Sequence, residues 1–228
     1  MGILADFLAI ALGGLFGGLF RSKLSIKGNV IFGIGVMLIS AVGIIENIFN
    51  VTDKRLESSD LLLIVGALIL GFLLGEALHI ENRISRVAKS DSTRMSAFLD
   101  ATIFFGIGGL QICGPILLAV EGDSSQLYLK AMIDLPFALM YGAMYGKWVV
   151  LSALPVAAVQ ALIAVAAYFA GPFVSDAMLA QLCAVGYIIL FFSGFNLLCE
   201  RERRIHNINM LPAVLVIILY NLAVGLWG

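Results

Sequence analysis

The sequence predicts an all-α polytopic membrane protein, with about eight transmembrane helices forming two four-helix repeats. Three observations carry that expectation. Of 228 residues, 61% are hydrophobic and 13% charged, where a soluble domain has about 45–50% apolar and about 25% charged residues. Mean hydropathy is +1.03, and the apolar runs reach the roughly 20 residues that a bilayer-crossing helix needs. A pattern also recurs: Asp6 stands eight residues ahead of a Gly14/Gly18 pair, and Asp134 stands eight ahead of Gly142/Gly146.

Eight apolar segments follow in order, at about 3–20, 29–50, 61–80, 97–120, 127–146, 148–170, 177–199 and 208–227. The first lacks a charged leader and a small-residue cleavage site, and reads as a retained helix. The joint between the fifth and sixth, around Lys147, is tight enough to leave seven spans or one broken helix open. Basic residues favour cytoplasmic loops. Alternate loops divide the fourteen basic residues eleven to three, with Arg21, Lys23, Lys27, Arg83, Arg86, Lys89, Arg94, Lys147, Arg201, Arg203 and Arg204 on one side and Lys54, Arg55 and Lys130 on the other. Both termini are therefore expected outside. Between the third and fourth segments, residues 81–96 place Ile84, Val87 and Ala88 at helical spacing among charges, which predicts a short helix on the inner membrane surface.

The repeat extends beyond the acids. The stretch GALILGFLLGEAL from Gly66 parallels GYIILFFSGFNLL from Gly186, which sets Glu76 opposite Asn196. The halves are expected at 1–121 and 122–228 within one membrane domain. Four spans per half make the repeats parallel, one known transporter plan. The three cysteines, Cys113, Cys183 and Cys199, lie inside apolar runs without paired spacing and imply neither disulfides nor a metal cluster.

From Phe98 onward further elements stand out: Gly108 and Gly114, Lys130-Ala-Met-Ile-Asp134, then Ser152, Pro155 and Gln160. Ala184-Val185-Gly186 with Asn196, and Asn209-Met210-Leu211-Pro212, complete the set, joined in the first half by Gly75-Glu76 and Ile80-Glu81. Together these residues resemble the bacterial membrane family known as domain of unknown function 554, over nearly the whole chain. This chain has Asp6 where the family pattern has Asn. The resemblance implies a bacterial inner-membrane protein and brings no established activity with it.

Charged side chains in hydrocarbon cost about 2.5–3.5 kcal/mol on insertion scales and so face the protein interior. The acids within or at the edges of spans are Asp6, Glu46, Glu76, Asp100 and Asp134, and the comparable base is Lys130. That imbalance points to a cation or proton. Lys130 and Asp134 share a helix face at i,i+4 and are placed to pair. Pro136 frees the Met132 carbonyl as a possible ligand beside the carboxylate. Gly114-Pro115 is a second candidate helix break of the kind that exposes backbone ligands in transporters. Gln111 and Gln160 are amides that glue helices or line a path. His79 and His206 read as interfacial residues. The glycine clusters at 13–18 and 106–109 read as close-packing faces.

The expected function is a transporter or channel for a cation or a small cationic or proton-coupled solute, its path between the repeats. Asp134 is the outer ligand or proton acceptor, Glu76 with Asn196 the inner one, with Gln111, Gln160, Lys130 and Asp6 along the path. The expected partners are the lipid bilayer, a small ion or solute and a second copy, with the glycine-rich first helix as the dimer interface. No cofactor is implied, and the metal, if any, stays open. A membrane partner or sensor is the alternative, and an intramembrane enzyme is a weaker one. Catalysis lacks a His-Glu-x-x-His or Gly-x-Ser-x-Gly motif, leaving only an Asp6/Asp134 dyad, and no soluble basic domain offers a nucleic-acid surface.

Overall fold

A computed structural model describes residues 1–19, 28–52, 55–58, 60–88, 93–106, 109–171, 174–199 and 205–227. Arg21, Lys23, Lys27, Lys54, Lys89, Arg201, Arg203 and Arg204, which carry much of the orientation reading, lie outside the described residues, as does Gly108. The helices are α1 (Gly2–Leu19), α2 (Gly28–Ile48), α3 (Leu61–Ala77), α4 (Ile80–Ala88), α5 (Thr93–Gly106), α6 (Gly109–Val120), α7 (Ser125–Tyr145), α8 (Ala153–Ala170), α9 (Asp176–Leu198) and α10 (Pro212–Trp227). Among the described residues, five apolar helical stretches are long enough to cross a membrane: Gly2–Leu19, Ser125–Tyr145, Lys147–Ala170, Asp176–Leu198 and Asn207–Gly225. Gly33–Ile48, Leu61–Ala77 and Leu110–Val120 are shorter apolar helices. The stretch 81–96, expected to form a short helix, overlaps the nine-residue helix α4.

One element was not foreseen. An antiparallel strand pair, β1 (Phe49–Thr52) and β2 (Arg55–Ser58), lies between α2 and α3 in the chain, with Thr52 opposite Arg55. The apolar run of α2 masks this strand pair, which is too short to show a period of its own.

The chain forms two compact units, Met1–Asn29 with Asn82–Gly171, and Val30–Glu81 with Pro172–Gly228. These units differ from the consecutive halves expected at 1–121 and 122–228, because each takes helices from both. In the first unit α1 packs along α7. A Cβ on Gly13 would lie 2.7 Å from Ala138 Cβ, and one on Gly17 would strike the Leu139 carbonyl. Gly2 faces Leu127 near one end, and Gly18 faces Lys147 past the other. The numbers rise together, so the two helices run parallel. This contact uses the glycine face that the sequence suggested for a dimer. The face is filled from within the chain because backbone this close leaves no space for a second copy's helix.

In the second unit the pairs run the other way. Gly33 meets Gly194 while Gly43 meets Tyr187, and Gly71 meets Ala213 while Gly75 meets Asn209. Thus α2 is antiparallel to α9, and α3 to α10.

Helix α7 begins where the exposed Asp123 carboxylate accepts the Ser125 N–H at 2.8 Å and the Ser125 hydroxyl at 2.6 Å. The hydroxyl bond first, then the backbone one, holds Asp123 below the ordinary carboxylate range. At the far end Gly146 takes φ +89°, a region open to glycine, and a 3-10 turn spans Lys147–Ser152. Gln160 of α8 then returns to the level of Asp6, so the tight joint is a reversal between two helices.

Both proposed helix breaks are corrected. Helix α6 runs through Gly114 and Pro115; a Cβ on Gly114 would crowd Leu127 at 2.8 Å, so this glycine serves packing on α7. Neighbouring helices hold a proline-containing membrane helix together. Helix α7 likewise continues through Pro136. At 100° per residue the freed Met132 carbonyl lies about half a turn from Asp134, and Met132 is 74% exposed. It is not a ligand beside the carboxylate.

Gly17→Ala is expected to destabilise the protein by about 1–3 kcal/mol through overpacking. Gly66→Ala, with nothing within 4 Å, is expected to be neutral or stabilising by up to about 1 kcal/mol. Thermal unfolding in one detergent checks both.

Candidate functional site

On α1 the buried positions Gly2, Asp6, Ala9, Ile10, Gly13, Gly14 and Gly17 form one stripe at helical spacing. On α7 the matching stripe includes Leu127, Lys130, Ala131, Asp134, Ala138 and Gly142. Both acids therefore sit within the face that packs, and the glycines bring those faces close enough to meet. Asp6 is 0%, Lys130 4%, Asp134 6%, Gln111 1% and Gln160 0% exposed, which places the group between the packed helices.

The Lys130 ammonium is the hub. It donates to Asp134 Oδ2, four residues on along α7, and lies 3.0 Å from Asp6 Oδ2. Gln160 of α8 spends both amide hydrogens here, one on Asp6 Oδ2 at 2.7 Å and one on Gln111 Oε1 at 3.1 Å. Gln111 of α6 in turn donates to the Val156 carbonyl at 3.0 Å. Four helices are thus tied through one polar centre. Two buried oxygens in it, Asp6 Oδ1 and Gln160 Oε1, have no hydrogen-bond partner. Two carboxylates against one ammonium, with bare oxygens beside them, is a donor set suited to a proton or a hard cation. Among the described residues no group of three or more His, Cys, Asp or Glu side chains is placed to hold a metal ion.

Five of the seven expected path residues, Asp6, Lys130, Asp134, Gln111 and Gln160, meet in this centre. Glu76 and Asn196 make their hydrogen bonds to other groups, not to this centre or to each other. Glu76 is exposed and its Oε2 accepts from Asn209 Nδ2 at 2.8 Å. Asn209 Oδ1 accepts the Glu81 N–H at 2.9 Å, so one amide bridges the end of α3 to the start of α4. Asn196 instead bonds the backbone of Ile205 through both ends of its amide, each at 2.8 Å. The physical reason is the chain re-entering before α10: its backbone polar groups need partners, and Asn196 is spent there. Burial, first of all, pushes the Glu81 carboxyl above its ordinary range; Glu76 adds to this, while His206 and the Ile208 backbone oppose it.

His206 Nδ1 lies 3.9 Å from Glu76 Oε2 with both side chains half exposed, and His79 is exposed with Nδ1 2.7 Å from the Glu76 carbonyl. Glu46 is exposed, and the Asp100 side chain lies outside the described structure. A further network escaped the sequence reading: Gln181, 4% exposed, donates to Asp60 Oδ2 and accepts from Asn221, both at 2.7 Å. Gln181 and Asn221 were readable as polar residues within apolar runs.

Lys130→Met is expected to destabilise the protein by about 3–5 kcal/mol, because it leaves buried carboxylates unpaired. Replacing Lys130, Asp6 and Asp134 together by Met, Asn and Asn is expected to recover most of that loss. Thermal unfolding of the single and triple variants in detergent checks it.

The model of the protein family described as Protein of unknown function (DUF554) matches residues 1–222. The uncharacterized membrane protein YdfK of Bacillus subtilis (strain 168) is 26% identical over 216 residues, covering 89% of this chain and 93% of that protein. The uncharacterized protein YqgA of Escherichia coli (strain K12) is 25% identical over 230 residues, covering 91% and 90%. No solved structure matches the chain significantly.

Proposed function

This chain belongs to the DUF554 family of proteins of unknown function, and we propose that it is a transporter or channel for a cation or a small cationic or proton-coupled solute, its binding centre at Asp6, Lys130, Asp134, Gln111 and Gln160. The observation that carries this reading is the buried carboxylate–ammonium–carboxylate group with two unpartnered oxygens, set on helices apolar enough to cross a membrane. Ionisable groups inside a membrane bundle are expensive and mark ion pathways and proton relays. An Asn209-bridged Glu76 and a backbone-bound Asn196 fit a structural staple better than a second ligand site.

In this reading the five long and three shorter apolar helices are eight spans in a bacterial inner membrane, with both termini outside. The packing directions support it. Alternating spans make the first and fifth segments parallel, the second and seventh antiparallel, and the third and eighth antiparallel, as α1/α7, α2/α9 and α3/α10 are. No catalytic step is assigned to the protein.

The test is uptake into proteoliposomes, with and without a pH gradient, across a panel of monovalent and divalent cations. Asp134→Asn is expected to slow initial uptake by about tenfold or more, the loss of at least one charge-assisted contact. Well-folded wild type that moves no cation and no proton would remove the transport reading and shift attention to a membrane partner protein.

A further inference from the structure

Asp6 and Gln160 confront each other through one hydrogen bond, from Gln160 Nε2 to Asp6 Oδ2 at 2.7 Å. The two atoms left on that pair, Asp6 Oδ1 and Gln160 Oε1, are buried acceptors without partners. An ionised carboxylate only accepts hydrogen bonds, whereas a carboxylic acid carries one O–H donor. A proton on Asp6 Oδ1 converts the pair into an acid–amide pair. The amide N–H donates to the carboxyl C=O, and the acid O–H donates to the amide C=O. One added proton thus supplies what both bare oxygens lack.

The charge count agrees. The charged groups facing Asp6 are Lys130, 3.0 Å away, and Asp134, which shares that ammonium; α8 and α6 contribute the amides of Gln160 and Gln111. Two carboxylates against one ammonium leave one negative charge uncompensated in an apolar bundle, where a lone charge is costly. The two acids are not equivalent. Asp134 shares the Lys130 helix and serves as its standing counter-ion, while Asp6 is the one whose spare oxygen is fully buried, on a carboxylate bonded to the Gln160 amide.

We propose that Asp6, held against Gln160, is the acid that carries the exchangeable proton of this centre, with Asp134 the fixed partner of Lys130. The assignment rests on reading the cluster as the ion-binding centre, and it moves the proton-accepting role from Asp134 to Asp6. Loading forms the O–H bond at Oδ1 with a proton delivered by water. Release returns the proton to water and leaves Oδ1 and Oε1 as two oxygen ligands for an incoming monovalent cation. One positive charge replaces another and no electrons move. Asp6→Asn copies the loaded state, since its amide N–H can donate where the acid O–H did.

Infrared difference spectroscopy between low and high pH, on purified protein in lipid nanodiscs, tests this without any transport assay. Wild type is expected to show the C=O band of a protonated carboxylic acid, shifted in deuterated water. The band is expected to vanish in Asp6→Asn, persist in Asp134→Asn, and move to higher frequency in Gln160→Met, where the donor to the acid carbonyl is gone. A band lost in Asp134→Asn but kept in Asp6→Asn would overturn the assignment, as would no band in wild type. Should Asp6→Asn not fold, isotope-labelled aspartate in Gln160→Met decides: an unmoved band rejects the pairing. Wild type with the Asp6 band but no flux keeps the proton site and removes transport. Flux without that band removes the proton site alone.

Discussion

A lysine ammonium cannot lie unpaired inside an apolar helix bundle, and the first unit is built around that constraint. Lys130 needs acceptors that its own helix supplies only once, through Asp134. The second comes from α1, and α1 can deliver Asp6 only by lying almost backbone to backbone against α7. Gly13, Gly14, Gly17 and Gly18 make that approach possible, since a methyl group at Gly17 would already strike main-chain atoms. Glycine weakens a helix by about 1 kcal/mol relative to alanine; here the close packing it permits, together with the ion pairs, outweighs that loss. The amides of Gln111 and Gln160 then extend the polar centre to α6 and α8, so packing and electrostatics in this unit are one arrangement.

The second unit solves a different problem with similar residue types. Its side-chain amides satisfy both backbone groups and other polar side chains around the helix ends. Asn196 pairs with Ile205 on both sides of the amide, and Asn207 donates to Ser193 at 2.6 Å. Asn209 links Glu76 to the first turn of α4. An unpaired backbone group has no water to turn to in hydrocarbon, and these side chains take water's place.

Much of this was legible in the residues. Composition and run length indicate apolar helices, and the four-residue spacing of Lys130 and Asp134 indicates their shared face. The recurring Asp–Gly–Gly spacing marks the two helices that meet, although it does not say that they pack on each other, because a repeat in sequence carries no contact information. Glu76 and Asn196 aligned for the same reason, and each hydrogen-bonds other partners. Their real partners, Asn209 and the Ile205 backbone, belong to an irregular stretch whose geometry no periodicity encodes. The prolines misled because soluble-protein rules overstate their power to break a helix held by neighbours, as Pro115 and Pro136 illustrate. The strand pair Phe49–Thr52 and Arg55–Ser58 lay hidden at the end of a longer apolar run.

The claim beneath all of this is that α1 runs parallel to α7 and so delivers Asp6 to Lys130. Cysteine cross-linking tests it most directly, in a background lacking Cys113, Cys183 and Cys199. A Cβ at Gly2 lies 2.6 Å from Leu127 Cβ, so Gly2→Cys with Leu127→Cys needs only a small adjustment to reach the roughly 3.5–4.5 Å between Cβ atoms of a disulfide. Tyr145 sits eighteen residues further along α7, roughly 27 Å away. The account predicts rapid oxidation of the 2/127 pair and none of Gly2→Cys with Tyr145→Cys. Cross-linking of the second pair in place of the first would mean antiparallel helices, with Asp6 at the wrong end of α7 to meet its lysine.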